Sequence, residues 1–140
     1  MAGARSALIV ATHVYDDPRL AGLRAPEHDA EALADVLGDP DIGAFEVTTV
    51  LNRPWHEVSR AVAQFFRDRR PDDLALVHFS CHGVKEESGQ LFFATTDTEL
   101  DALDATALPA EFLHRQIPSR CYCWAVGCAD CPCSNGNCSA

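Results

Sequence analysis

The spacing of apolar positions along this chain predicts a regular succession of strands and helices. Residues 7–12 form a continuous apolar run, which is typical of a strand covered on both faces. Over residues 26–38 the apolar side chains recur three and four positions apart, which predicts a helix that ends at the Gly-Asp-Pro turn of 38–40. Residues 45–51 are rich in β-branched side chains and favour a second strand.

The same succession continues through the middle of the chain. Residues 55–69 carry apolar side chains at helical spacing, and an apolar strand then runs up to His82. Strands that alternate with helices are typical of a parallel sheet between two helical layers. The prediction is an α/β fold of three layers, α-β-α, whose mostly parallel sheet ends after about four main strands. Weaker patterns predict a polar turn at 84–90, a short strand at 91–94, a third helix at 107–116 and a further strand at 122–126.

Size and charge narrow the classes of function. The chain has 140 residues, enough for one domain, and a formal net charge of −10 from 21 Asp and Glu against 11 Lys and Arg. Nucleic-acid binding depends on basic contacts to phosphate, so this acidic chain argues against a nucleic-acid partner. No apolar run approaches the ~20 residues that cross a bilayer, and residues 1–6 lack the apolar core of a secretory signal. A cytoplasmic protein without a membrane partner is expected, and its oligomeric state is left open.

Cysteine usage divides the chain into two predicted units, 1–120 and 121–140. The first unit holds Cys81 as its single cysteine, whereas the last twenty residues hold six. So abrupt a change indicates either a separate metal or redox element, or a segment that is not original to the fold. Cys128 and Cys131 have the C-x-x-C spacing of a zinc chelate, but the tail contains no histidine. The main interpretation assigns no metal ligands, and a metal-binding tail on an α/β domain is kept as an alternative.

The turn that follows the strand of residues 74–80 carries the strongest candidate for chemistry. Strand ends of an open α/β sheet display side chains in a crevice, so His82 is predicted to be catalytic. Gly83 beside it has no Cβ, which lets a substrate backbone approach closely. Cys81 points the opposite way in an extended segment and is predicted to be a buried apolar residue, and His78 a core or supporting residue.

Two cysteines follow His82 at sequence separations that fit a catalytic thiol partner. A cysteine is a strong nucleophile as thiolate, and a nearby imidazole can take its proton. Cys131 follows His82 by 131 − 82 = 49 positions and Cys133 by 51, and both come just after the predicted strand at 122–126. Caspase-type peptidases place the histidine about 50 residues before the cysteine.

Four segments together resemble a known family: A-L-I-V-A-T at 7–12, L-R-A-P-E-H-D-A-E-A-L-A-D-V-L at 23–37, R-R-P-D-D-L-A-L-V-H-F-S-C-H-G at 69–83 and A-T-T-D-T at 94–98. They look like the N-terminal half of bacterial caspase-like cysteine peptidases, the clan CD, C14-type relatives of metacaspases. The resemblance covers residues 7–116. It implies a caspase-like sheet and a Cys–His dyad that cuts polypeptides after a charged P1 residue, often a basic one, with backbone N–H groups such as that of Gly83 holding the oxyanion. It requires no cofactor, although some metacaspase relatives use Ca²⁺ for activation.

The chain departs from the family at the expected nucleophile. The family has D-C-C-[HY]-S-G, with the second cysteine as nucleophile, where this chain has Asp130-Cys131-Pro132-Cys133. Asp130 and Cys131 match the first two positions, Pro132 occupies the nucleophile position, and Cys133 fits only with one inserted residue. Proline lacks an N–H and has a fixed φ, which is unfavourable beside an oxyanion hole. The tail is therefore expected to reflect truncation or an altered reading frame.

The predicted function is a cysteine endopeptidase with His82 as general base and Cys131 as nucleophile, Cys133 being the alternative. Asp29 and Asp130 are candidates for an S1 pocket that binds a basic side chain, although Asp29 also suits the positive end of its helix. Asp97 is predicted to close a turn. A catalytically inactive caspase-homology domain that acts as a scaffold is the alternative from another class.

Overall fold

The computed structural model describes residues 3–21, 26–117 and 125–127. At residues 26–27 and 125–127 it describes the backbone alone. The strands in these residues are β1 (Arg5–Ala11), β2 (Glu46–Leu51), β3 (Leu74–Ser80), β4 (Gly83–Lys85), β5 (Leu91–Phe93), β6 (Leu108–Pro109) and β7 (Ala125–Gly127). The helices are α1 (Pro26–Gly38), α2 (Trp55–Arg67), α3 (Leu103–Thr106) and α4 (Ala110–Gln116), with short 3-10 helices at Pro18–Leu20 and Leu100–Ala102.

The main sheet is parallel and has the strand order β2-β1-β3-β7. Strand β1 lies between β2 and β3, and its residues from Ser6 to Ala11 are all buried. A strand covered on both faces needs apolar side chains at successive positions, which explains the unbroken run seen in the sequence. The register places Ala11 opposite both Leu51 and Ser80, and Ser80 opposite Gly127. The carboxyl ends of all four strands therefore meet at one edge of the sheet.

Helices cover both faces of this sheet. On one face Ala30 of α1 packs on Ile9 and Ala11 of β1. On the other face α2 and α4 enclose the larger apolar cluster, in which Val58 and Val62 are fully buried. Each such valine stabilises the fold by about 1.5–3 kcal/mol relative to an exposed position. The predicted three-layer α/β fold with a mostly parallel sheet is confirmed.

A small antiparallel sheet, β4-β5-β6, lies beside the main one. The predicted polar turn and short strand become a hairpin of β4 and β5, in which the Glu86 N–H donates to the Gln90 carbonyl at 2.9 Å. Gly89 has φ +89° in this turn, a left-handed conformation that favours glycine. The hairpin directly follows His82, so it places the backbone of Gly83 next to the imidazole-bearing turn.

One predicted boundary was displaced by pairing that the local sequence does not reveal. The third helix was expected over 107–116, but α4 begins at Ala110 because Leu108 and Pro109 pair with β5. Leu108 is buried, at 1% exposure, so this two-residue strand also contributes an apolar side chain to the core.

The described part of the tail joins the main sheet. β7 overlaps the strand that was predicted at 122–126 and pairs in parallel with β3. The candidates Asp130, Cys131 and Cys133 lie outside the described residues, as does all of the proposed Cys-rich unit 121–140 except residues 125–127. Across the helices of the described chain, none combines the length and apolar character that a bilayer crossing requires.

Candidate active site

His82 lies two residues beyond the end of β3, at the carboxyl edge of the main sheet. The residue is half-buried, and its Nε2 atom is buried without a hydrogen-bond partner among the described residues. The hydroxyl of Thr12, just past the end of β1, is likewise buried and unpaired within the described chain. Buried polar atoms are usually satisfied, and of the three unpaired ones in the described chain, Thr12 Oγ1, Arg69 Nε and His82 Nε2, two lie at this edge, which makes it the candidate site.

The backbone on either side of the imidazole is held by two neighbouring segments. The His82 carbonyl accepts from the Ala94 N–H at 2.9 Å. The His82 N–H donates to the hydroxyl of Tyr15 at 3.0 Å, and the rings of Tyr15 and His82 are tilted by 47° with centroids 5.2 Å apart. Tyr15 was not singled out from the sequence, because nothing local connects two residues 67 positions apart.

The backbone N–H of Gly83 points away from the hairpin that contains it. Gly83 is opposite Phe93, and the hydrogen bonds at His82–Ala94 and Glu86–Gln90 place the even-numbered residues of β4 at the hydrogen-bonded positions. In an antiparallel ladder the intervening positions direct their N–H and C=O groups to the other side. β4 is an edge strand of its three-stranded sheet, so no described strand pairs with that side. The N–H group of Gly83 thus faces away from β5 and takes no part in this ladder.

Asn52 organises the ends of β1 and β2 at the same edge. It has φ +49°, in the left-handed region that asparagine tolerates, and its N–H donates to the Ala11 carbonyl at 2.9 Å. Its Oδ1 accepts from the N–H groups of His13 at 2.9 Å and Val14 at 3.2 Å. This long-range role of Asn52 could not be predicted from the local sequence.

An ion pair between the buried Asp17 and the half-exposed Arg19 fixes the far end of the loop after β1. Asp17 is 8% exposed, and its carboxylate lies 2.9 Å from Arg19, which also pairs with the exposed Asp101 at 3.1 Å. Hydrogen bonds from the Arg19 side chain and from the Leu100 N–H hold the pKa of Asp17 far below its usual value. Hydrogen bonds from Arg19 to Asp17, and secondly to Asp101, raise the pKa of Arg19.

The A-T-T-D-T segment at 94–98 forms a turn that also caps helix α2. Asp97 accepts at 2.8 Å from the Thr95 hydroxyl, as a turn residue does, and at 2.9 Å from the N–H of Trp55. Trp55 opens α2 after Pro54, whose side chain cannot accept this bond, so Asp97 supplies the cap from a distance. The prediction that Asp97 closes a turn is confirmed, and its capping of α2 is an addition that only the structure reveals.

The other described candidates from the sequence occupy positions that are ordinary for their residue types. Cys81 is buried, at 6% exposure, in the core beneath the site, as predicted. His78 is half-buried on β3; burial lowers its pKa, and the charge of Asp29 opposes that shift. Asp29 itself is exposed on α1. No group of three or more metal-ligating side chains occurs within the described ranges 3–21 and 26–117.

β7 ends at the same sheet edge as β3, and the candidate thiols follow β7 along the sequence. β7 ends at Gly127, which is opposite Ser80, two residues before His82. Cys131 follows Gly127 by 131 − 127 = 4 positions, and Cys133 by 6. The register therefore brings the carboxyl end of β7 to the sheet edge where His82 and Gly83 lie.

Comparisons with known proteins agree with this architecture. A family model described as the caspase domain of peptidase family C14 matches residues 4–119. Among solved structures, the crystal structure of protein GSU0716 from Geobacter sulfurreducens is similar, with a TM-score of 0.63 at 20% sequence identity. That likeness covers 88% of this chain and 48% of the other, so the present chain spans about half the length of that protein. None of the curated proteins matches this sequence significantly.

Proposed function

Because the chain belongs to the caspase domain family, we propose that it is a cysteine-type endopeptidase that uses a His–Cys dyad. The family is one of peptidases, so its substrates are polypeptides. His82 is the general base, Cys131 is the nucleophile, and Cys133 is the alternative nucleophile. A reducing cytoplasm would keep either thiol available.

The position of His82 carries this proposal. Its Nε2 atom is buried without a partner among the described residues, at the edge where β7 ends opposite Ser80. A general base needs an open nitrogen within reach of the thiol whose proton it takes. The outward N–H of Gly83 next to it supports the role of oxyanion donor.

The reaction proceeds in two steps, formation of a thioester and its hydrolysis. Nε2 of His82 takes the thiol proton of Cys131, and the sulfur attacks the scissile carbonyl carbon while the Gly83 N–H donates to the oxyanion. The C–N bond breaks as the imidazolium returns the proton to the amine, which leaves a thioester. Water, deprotonated by His82, then attacks the thioester, and the C–S bond breaks to release a carboxylic acid and the thiol.

Substrate preference is part of the proposal. Asp29 and Asp130 are carboxylates that would attract an Arg or Lys side chain at P1, and we assign them to the S1 pocket. The reaction needs no cofactor, and the family resemblance allows activation by Ca²⁺.

The test is cleavage of reporter peptides with Arg, Lys or Asp at P1, with and without Ca²⁺. We expect cleavage after Arg and Lys, and a loss of about 10²–10⁴-fold in His82→Ala, the range of a general base. Cys131→Ala should abolish cleavage while Cys133→Ala retains it. His56→Ala is the matched control, because His56 is an exposed histidine of α2.

Alkylation identifies the thiol independently of turnover. Iodoacetamide should label Cys131 faster in the wild type than in His82→Ala, because the imidazole maintains the thiolate. Equal labelling of all tail cysteines in both proteins, with no cleavage of any peptide, would exclude the dyad.

An inactive caspase-homology domain is the second candidate, and Pro132 favours it. Proline stands at the family's nucleophile position and offers no backbone N–H there. This candidate predicts no cleavage under any condition, and the same assay decides between the two.

A further inference from the structure

Tyr15 connects the end of β1 to the backbone of the candidate general base. Its hydroxyl donates to the Thr12 carbonyl at 2.9 Å and accepts from the His82 N–H at 3.0 Å. Its ring contacts the imidazole at a centroid distance of 5.2 Å. One side chain therefore holds both the backbone and the ring of His82.

The loop that carries Tyr15 is itself fixed at both ends. Asn52 accepts from the N–H groups of His13 and Val14, just before Tyr15. The Asp16 N–H, just after it, donates to the Thr96 carbonyl at 2.8 Å. Two flanking anchors on different elements remove the freedom that an exposed loop would otherwise have.

We propose that Tyr15 is a positioning residue that orients the His82 imidazole. The hydroxyl fixes the peptide from which the side chain of His82 extends, and the ring limits how far the imidazole can turn. Proton transfer depends steeply on the placement of the base, so this constraint serves the reaction. The catalytic consequence rests on the proposed function, whereas the positioning itself does not.

The test uses Tyr15→Phe, which keeps the aromatic ring and removes the hydroxyl, in the full chain. We expect the backbone amide of His82 to exchange with solvent about tenfold faster, as the loss of one hydrogen bond predicts. Amides within β3, such as those of Val77 and Phe79, should be unaffected. Ser59→Ala is the matched control, since it removes a hydroxyl that bonds the His56 carbonyl on α2. Unchanged exchange at His82 would overturn the proposal.

Kinetics separates positioning from a general structural role. In Tyr15→Phe we expect kcat on the Arg-P1 peptide to fall at least about tenfold while KM stays within about twofold. Faster exchange with an unchanged kcat would overturn the positioning role, as would a rise in KM alone.

A third measurement decides the question even if no peptide is cleaved. In Tyr15→Leu the aromatic ring is gone, so the Cε1–H proton resonance of His82 should shift, while that of the exposed His56 stays in place. Absence of cleavage by the wild type would refute the proposed function and leave this readout intact. A stationary His82 resonance would refute the positioning role of Tyr15.

Discussion

The stacked pair of Phe79 and Phe93 joins the two sheets directly beneath the site. Phe79 lies on β3 three residues before His82, and Phe93 lies on β5 opposite Gly83. The rings are 18° from parallel with centroids 4.7 Å apart, and the residues are only 2% and 1% exposed. The stack is thus a direct side-chain link between the main sheet and the hairpin.

Its contribution can be measured with a double-mutant cycle. Truncating either ring to Ala would cost about 3–5 kcal/mol, a large share of the ~5–15 kcal/mol that stabilises a domain. Leu retains more of the volume, so Phe79→Leu and Phe93→Leu should each cost about 1–3 kcal/mol and stay folded. The direct ring–ring contact should appear as a coupling free energy of about 0.5–1.5 kcal/mol.

Urea unfolding followed by circular dichroism gives the free energies, since a chain of this size is expected to unfold in one step. The control cycle combines Phe93→Leu with Val47→Ala. Val47 packs on the α1 face of the sheet, in a different cluster from Phe93. That control should be additive within about 0.5 kcal/mol. If the losses in free energy of unfolding of Phe79→Leu and Phe93→Leu add as closely as those of the control cycle, the stack does not couple the two sheets.

Two further predictions concern the loops that frame the site. Asp97→Ala removes the cap on the Trp55 N–H and should lower the free energy of unfolding by about 1 kcal/mol. The control Asp104→Ala, at an exposed residue, should change it little, and equal effects of the two substitutions would contradict the capping role. Asp17→Asn should destabilise the protein at neutral pH, because the pKa of Asp17 is lowered by Arg19 and that stabilisation is fully present above the unfolded pKa of about 4. As the pH falls below about 4, towards the lower pKa of the folded state, the difference between wild type and Asp17→Asn should shrink in urea titrations; a constant difference would contradict the assignment.

Much of the fold could be predicted because its signals are local. The buried run of β1 and the helical spacing of α1 and α2 each lie within a short window, and each reports how many faces of the element are covered. His82 and Gly83 could be proposed as candidates for the same reason, because a strand end followed by His-Gly is a local pattern. Cys131 and Cys133 were inferred from spacing and resemblance, and their assignment as nucleophile remains a prediction.

The sequence by itself determined the succession of buried strands and amphipathic helices, and with it the edge at which His82 lies. Only the tertiary structure decided what surrounds that histidine. Tyr15 meets it across 67 positions, and Asp97 caps α2 across 42, while two residues of an expected helix pair instead with β5. The physical reason is that periodicity records burial residue by residue, whereas a contact between distant loops depends on the path of the whole chain and leaves no periodic trace.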